Sequence, residues 1–224
     1  MKEDVGISMT GVIYDYLMDM ILSLQMKPGD RIPEMKIAKE FGVSRTPIRD
    51  ALRQLAGDGI INVYPKRYAE VADYDDEKVR QIGLTRIALD TLAIRLANYY
   101  GSNAEFMALQ EYADACYEAT KAQDVAVRIK MDSAFHFELC KIGKNDALTE
   151  MERRLLLQLE FLQAIRYDRA QDPDNQYQSH CGLINALMKR DVKEAVRIIT
   201  EHDVNFHDLR CLPKSLYMAE VEGE

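Results

Sequence analysis

Arg45, Arg49 and Arg53 recur every four residues, so on a helix they share one face, opposite Ile48, Leu52 and Leu55. A guanidinium fork grips guanine O6/N7 or a phosphate in bidentate fashion, so such a face suits a nucleic acid. Ser44 and Thr46 crowd the same N-terminal end, where helix N–H groups without internal partners also favour phosphate. Lys66-Arg67 adds two further cations between two apolar runs. A second set has the composition of a metal site. Asp132 and His136 are four apart and project together beside Ile129 and Leu139. His180 shares a face with Ile184 and Leu187, and His202 with Ala195, Ile198 and Ile199. One carboxylate and three imidazoles converging on an apolar interior suit a divalent ion, zinc first, with nickel or manganese as alternatives, and leave one or two positions open. An open position takes a carboxylate, so a small organic or sugar acid is the expected ligand. Arg86, with Val79 and Ile82, is a candidate second anchor for it or simply the i, i+4 partner of Asp90. Tyr99, Tyr100 and Arg166 are further candidates that nothing singles out. His207 lies five residues beyond His202, about 140° around a helix, and is set aside.

Charge separates the two sets. The 224 residues carry a net charge of -8, yet residues 31–67 hold eight basic and four acidic residues, a local +4. A basic island in an acidic chain is the footprint of one module that meets a polyanion. The four cysteines are scattered with no CxxC pair, which argues against a disulfide framework or a thiolate zinc site. No apolar run approaches the roughly 18–20 residues that cross a bilayer, and the first residues lack a signal-peptide core, so a cytoplasmic, membrane-free protein is expected.

The elements that must position these residues follow from periodicity. Apolar residues from Met9 to Leu24 trace one stripe of a helix over about 8–25, stopped by Lys27-Pro28-Gly29-Asp30. A short helix over 34–41, the tight turn Gly42-Val43-Ser44, and a helix over 45–57 with Ser44 as its N-cap come next. Residues 60–64 and 69–72 read as two strands around Pro65-Lys66-Arg67-Tyr68. Beyond the acidic stretch 73–77, helices are expected over 76–100, 103–121, 124–142, 146–168, 175–189 and 191–211, with a frayed tail after Pro213. The expected fold class is mainly α: an N-terminal winged helix-turn-helix over 1–73, a linker over 74–78, and an antiparallel bundle of six or seven helices over 79–224.

These residues also carry a resemblance. Pro28-Gly29-Asp30-Arg31-Ile32, then Gly42-Val43-Ser44-Arg45-Thr46-Pro47-Ile48-Arg49-Asp50-Ala51-Leu52-Arg53-Gln54-Leu55 and Gly57-Asp58-Gly59-Ile60-Ile61, look very like the signature of GntR-family bacterial transcription regulators. The helical remainder is similar to the FCD effector domain of the FadR-type subgroup, so the resemblance covers about 10–211. It implies a homodimer on a pseudo-palindromic operator, with a small ligand in the bundle altering operator affinity. The metal-binding FCD pattern has Asp-x3-His and two later histidines 22 residues apart, which Asp132/His136 and His180/His202 match. One departure is Tyr68, where many relatives have a wing glycine after the basic pair.

The competing expectation is a metal-dependent enzyme on a helical bundle, with Glu138 or Glu201 as general base. Neither glutamate shares a face with its neighbouring histidine, and the chain has no nucleophile motif or phosphate loop.

Overall fold

The computed structural model describes residues 8–166 and 173–217. It divides into two compact units, Met1–Asp73 and Tyr74–Glu224. The first contains α1 (Met9–Leu22), α2 (Glu34–Phe41) and α3 (Arg45–Gly57), then β1 (Ile61–Tyr64) and β2 (Tyr68–Val71). The Ser8 hydroxyl accepts from the Gly11 N–H and starts α1. The helix stops three residues short of expectation, because Leu24 turns into the left-handed region at φ 57°. Ile13, Leu17 and Ile21 of α1 are fully buried, as are Ile48 and Leu55 of α3 against which α1 packs. Gly42 ends α2 at φ 65°, a conformation that costs glycine nothing, and so sets the tight turn that launches α3. The strands pair antiparallel from Ile61 opposite Val71 to Tyr64 opposite Tyr68. The Pro28–Ile32 segment lies along β2, with Ile32 N–H donating to the Ala69 carbonyl at 2.9 Å.

Among the described residues the second unit holds six α-helices: α4 (Asp76–Tyr100), α5 (Asn103–Lys121), α6 (Val125–Ile142), α7 (Asp146–Ile165), α8 (Pro173–Met188) and α9 (Val192–Phe206). Side-chain caps from Asp75, Ser102, Asp124, Asn145 and Asp191 start five of them. Helix α4 packs on α6 and α9, α5 on α6 and α8, and α7 on α6. Their facing sides bury Ile94, Phe106, Leu109, Phe135, Leu183 and Leu187.

Tyr74 is buried with its ring edge-on to Phe161 (centroids 5.1 Å apart), Asp75 caps α4, and the helix runs from Asp76, as the expected span 76–100 has it. Three other expectations change in this unit. The last long helix ends at Phe206, short of 211, with His207 as its cap residue, and a separate 3-10 turn covers Leu209–Cys211. Residues 214–216 form another such turn, and Tyr217 is buried beside Ile87 and Leu209, so the chain is held in place from Pro213 as far as Tyr217, the rest of the expected tail lying outside the described residues. Helix α7 ends at Ile165 with Arg166 as its cap residue, short of the 168 expected, and residues 167–168 themselves lie outside the described residues.

Candidate nucleic-acid interface and candidate metal centre

In the first unit, Arg45, Arg49 and Arg53 of α3 and Lys66 and Arg67 of the β1–β2 turn line one groove of about 890 Å³. All five are exposed, as are Ser44 and Thr46 at the mouth of the helix. Ser44 is the N-cap residue, as expected, but its side chain makes no capping bond, so the hydroxyl is not engaged by the helix. Arg49 Nε lies 3.6 Å from Glu34, and Arg53 pairs with Asp50. Exposed pairs of this kind are worth about 0–1 kcal/mol, so neither holds its arginine away from a phosphate or base. The turn closes by Arg67 N–H donating to the Tyr64 carbonyl at 3.0 Å, and its left-handed residue is Lys66, at φ 59°. Tyr68, where a glycine was missed, sits in ordinary strand backbone. Its ring packs against Tyr64 (centroids 4.8 Å apart) and under the Arg31 guanidinium at 4.1 Å, so it braces the wing.

In the second unit, α6 presents Asp132 and His136, α8 presents His180 and α9 presents His202, all buried. The three imidazole rings form a near-equilateral triangle, each pair of centroids 5.5 Å apart. One nitrogen from each lies within 4.8 Å of the others. Phe135 stacks on His180 at 4.1 Å and fixes that ring's plane. Burial, the largest influence on each, holds all three imidazoles neutral: His136 far below its usual range, His180 at about 4 and His202 at about 3. A neutral imidazole keeps the lone pair that a metal needs. Both nitrogens of His136 and Nε2 of His180 find no hydrogen-bond partner among the described residues, which is costly for buried polar atoms. Unpartnered nitrogens, mutual convergence and neutrality are the features that a metal ligand set requires, so these residues fit a divalent ion.

Asp132 stands beside the triangle, with Oδ1 3.5 Å from His180 Nε2 and 4.0 Å from His136 Nε2. Its oxygens accept from Gln176 Nε2 (2.6 Å) and Gln163 Nε2 (2.7 Å), and Arg128 Nη2 donates to Gln176 in turn. These amides orient the carboxylate as an outer layer orients metal ligands. Burial pushes the Asp132 carboxyl up, but His180, His202 and two arginines outweigh it and hold it below the usual carboxylate range.

Arg86 is fully buried, and its Nε is shared between Asp90 Oδ2 (3.2 Å) and Asp203 Oδ1 (3.1 Å), while Nη2 has no hydrogen-bond partner among the described residues. The pairing with Asp90 is therefore present, the link to Asp203 is additional, and part of the fork remains open. Tyr99 and Tyr100 face solvent, at 80% and 48% exposure, so they do not line the interior, and Arg166 pairs with Asp76 at 2.8 Å. Sequence reasoning missed the polar groups around Arg86: Glu152, Asp203 and His207 are all buried. Each gave a signal. Glu152 interrupts the apolar stripe Leu148, Leu155, Leu156, Leu159, and Asp203 sits in register with Ala195 and Ile199. Glu138 and Glu201 pair at the surface with Lys141 and Arg197, so neither serves as a base at the histidines.

A three-helix unit with a two-stranded wing and a cationic groove, followed by a six-helix unit enclosing three histidines, defines a winged-helix transcription regulator. The comparisons with known proteins agree: residues 10–71 match the bacterial regulatory proteins of the gntR family, and residues 81–205 match the FCD domain. The chain belongs to the GntR family, in the FadR-type subgroup that carries an FCD domain, and is not an enzyme. It is 26% identical over 191 residues to the uncharacterized HTH-type transcriptional regulator YdhC of Bacillus subtilis (strain 168), covering 84% of this chain and 85% of that one. It is 24% identical over 190 residues to the HTH-type transcriptional repressor RspR of Escherichia coli (strain K12), covering 85% and 83%. Among solved structures, E. coli McbR/YncC superimposes with a TM-score of 0.73 at 21% identity, covering 94% of this chain and 97% of that one. No helix among the described residues is long and apolar enough to cross a membrane.

Proposed function

We propose that this regulator binds a pseudo-palindromic operator as a cytoplasmic homodimer, and that a small carboxylate taken up at a metal site in the helical unit alters its operator affinity. The division of labour is residues 1–73 for DNA and the helical remainder for dimerisation and effector. Arg45 and Arg49 read base edges from the N-terminal half of α3, Ser44, Thr46 and Arg53 hold phosphates, and Lys66 and Arg67 reach the flanking backbone or minor groove. His136, His180, His202 and Asp132 hold the divalent ion, with zinc the best match to the donors and nickel or manganese sharing the same ligand chemistry. When bound, the ion supplies an open coordination position for a carboxylate oxygen of an organic or sugar acid. Arg86 offers its free Nη2 to the far part of that molecule. The effector shifts operator affinity by binding the DNA-competent and DNA-incompetent arrangements unequally.

The observation that carries this reading is the triangle of buried neutral imidazoles, in which both nitrogens of His136 and Nε2 of His180 find no hydrogen-bond partner among the described residues. The test is selection of sheared genomic DNA by the purified protein at about 0.15 M salt, where nonspecific phosphate binding is weak, with metal loaded and removed. Enrichment of one inverted repeat is expected, and the genes beside it nominate acids to assay as effectors. Failure to enrich any sequence in either state overturns the operator reading.

A further inference from the structure

We propose that Arg31 is a further DNA contact, made to a phosphate at the edge of the groove that α3 lines, and that Tyr68 is the positioning residue that holds it there. The inference goes beyond the operator reading above, since it concerns a cation outside α3 and the wing turn and is independent of base sequence, metal and effector.

Arg31 lies on the segment between α1 and α2 that runs along β2. Its backbone is pinned on both sides. Val71 N–H donates to the Asp30 carbonyl and Ile32 N–H to the Ala69 carbonyl, each at 2.9 Å, and Arg31 itself stands opposite Glu70. That register puts its side chain on the same sheet face as Glu70, Tyr68 and Tyr64. There the guanidinium carbon sits 4.1 Å from the centroid of the Tyr68 ring, and the guanidinium carbon of Arg67 lies 5.8 Å from the same centroid. One tyrosine ring thus gathers two cations, one from the wing turn and one from the segment beside the hairpin.

The acidic groups beside Arg31 are committed elsewhere. Glu70 accepts from the Tyr64 hydroxyl at 2.7 Å, and Asp30 accepts from the Lys27 N–H at 2.8 Å. Arg31 is exposed and has no ion pair among the described residues. Stacking occupies the face of the guanidinium and leaves its N–H edge for an acceptor. Tyr68 lines the groove shared by Arg45, Arg49, Lys66 and Arg67, Arg31 lines the hollow next to it, and Pro33 and Lys36 border both. A cation beside the groove is placed for the sugar-phosphate backbone and not for base edges. A duplex seated in the groove brings phosphates along its rim, the acceptor that a guanidinium without an ion pair suits best.

The test uses the full chain and a random-sequence duplex of about 30 base pairs, since a phosphate contact is indifferent to sequence. Affinity is read by fluorescence anisotropy between about 0.05 and 0.2 M salt, and the folding of each variant by its melting temperature. Arg31→Gln, which keeps a side chain over Tyr68 but removes the charge, should weaken binding about five- to tenfold at about 0.1 M salt and reduce the salt slope by about 0.9 for each protomer on the duplex. Lys27→Gln removes a charge from the same segment at a residue that lines neither the groove nor the hollow, and should change the slope far less. Tyr68→Phe should bind as the parent does. Tyr68→Val, which suits a strand but has no ring, should weaken binding about two- to fivefold, and no further when Arg31→Gln is already present. Arg31→Ala replaces the glutamine variant should that one melt early. An unchanged slope in the Arg31 variant, or one no more altered than in Lys27→Gln, overturns the contact. Additive losses from Arg31→Gln and Tyr68→Val, or equal losses in Tyr68→Phe and Tyr68→Val, overturn the positioning role.

Discussion

The arginine face of α3 and the histidine interior of the helical unit both consist of polar groups repeated at helical spacing, and burial makes them opposites. Arg49 and Arg53 are mostly exposed and make weak surface pairs, so their charges cost the fold almost nothing and stay available to a partner. His136, Arg86, Glu152 and Asp203 are withdrawn from water and incompletely partnered. On the first surface, the proposed function falls to groups the fold does not need. In the second, it falls to groups the fold tolerates at a cost, which a bound ion or ligand would offset.

The largest separation of the two regions comes from metal. If the proposed site takes zinc, the ion at about one hundred times its dissociation constant should stabilise the folded state by about 2.7 kcal/mol and raise the melting temperature by about 5–10 °C for a chain of this size. His136→Ala should lose most of that increment and most of the bound metal. An unchanged increment in the variant removes the histidine triangle as the site.

The converse change is Arg49→Ala. Loss of a bidentate base contact costs about 1–3 kcal/mol, so operator affinity should fall about 10- to 100-fold while thermal stability, with and without zinc, stays within about 0.5 kcal/mol. A variant that melts early shows that the arginine serves the fold. One that binds operator as well as the parent shows that another face reads the DNA.

Glu152 tests how costly the interior is without a ligand. Burial, followed by the charge of Asp90, pushes its carboxyl up to about 8. A carboxyl raised in the folded state contributes stability at acid pH and loses it as pH climbs from the ordinary glutamate range through about 8. In metal-free protein, Glu152→Gln should therefore raise the melting temperature by about 3–6 °C at pH 8.5 and change it little at pH 5. Equal shifts at both pH values would show that the gain is packing and not the relief of a buried charge.

The same contrast explains what was legible in the sequence. The spans of α2, α3, α4 and α5 follow from local chemistry: Gly42 and Ser44 bracket a turn, and Ser102 with Glu105 forms a reciprocal cap on α5. Local spacing also found Asp132 with His136, and the apolar stripes placed His180 and His202 inside. The ends of α1 and α9 were missed because each is set by something spacing does not carry. Leu24 takes a left-handed conformation without being a glycine, and His207 seats its ring against Gly83 from a distant helix. Asp203 escaped notice for a related reason: its partner Arg86 is more than one hundred residues away in sequence. A charged residue within an apolar stripe was the available signal, and Glu152 and Asp203 both gave it.

The smallest expected effect lies in the wing, where fold and function meet in one residue. Lys66 holds the left-handed position of the turn at φ 59°, which strains a lysine and suits a glycine. Lys66→Gly should therefore leave stability unchanged or raise it by up to about 1 kcal/mol, since relief of strain outweighs the entropy glycine adds to the unfolded chain. If Lys66 contacts phosphate, the same change should weaken operator binding about equally for all sequences and reduce the salt slope by about one counterion. Loss of stability with an unaltered slope would place the lysine on the structural side of the comparison and leave Arg67 as the wing's contact to DNA.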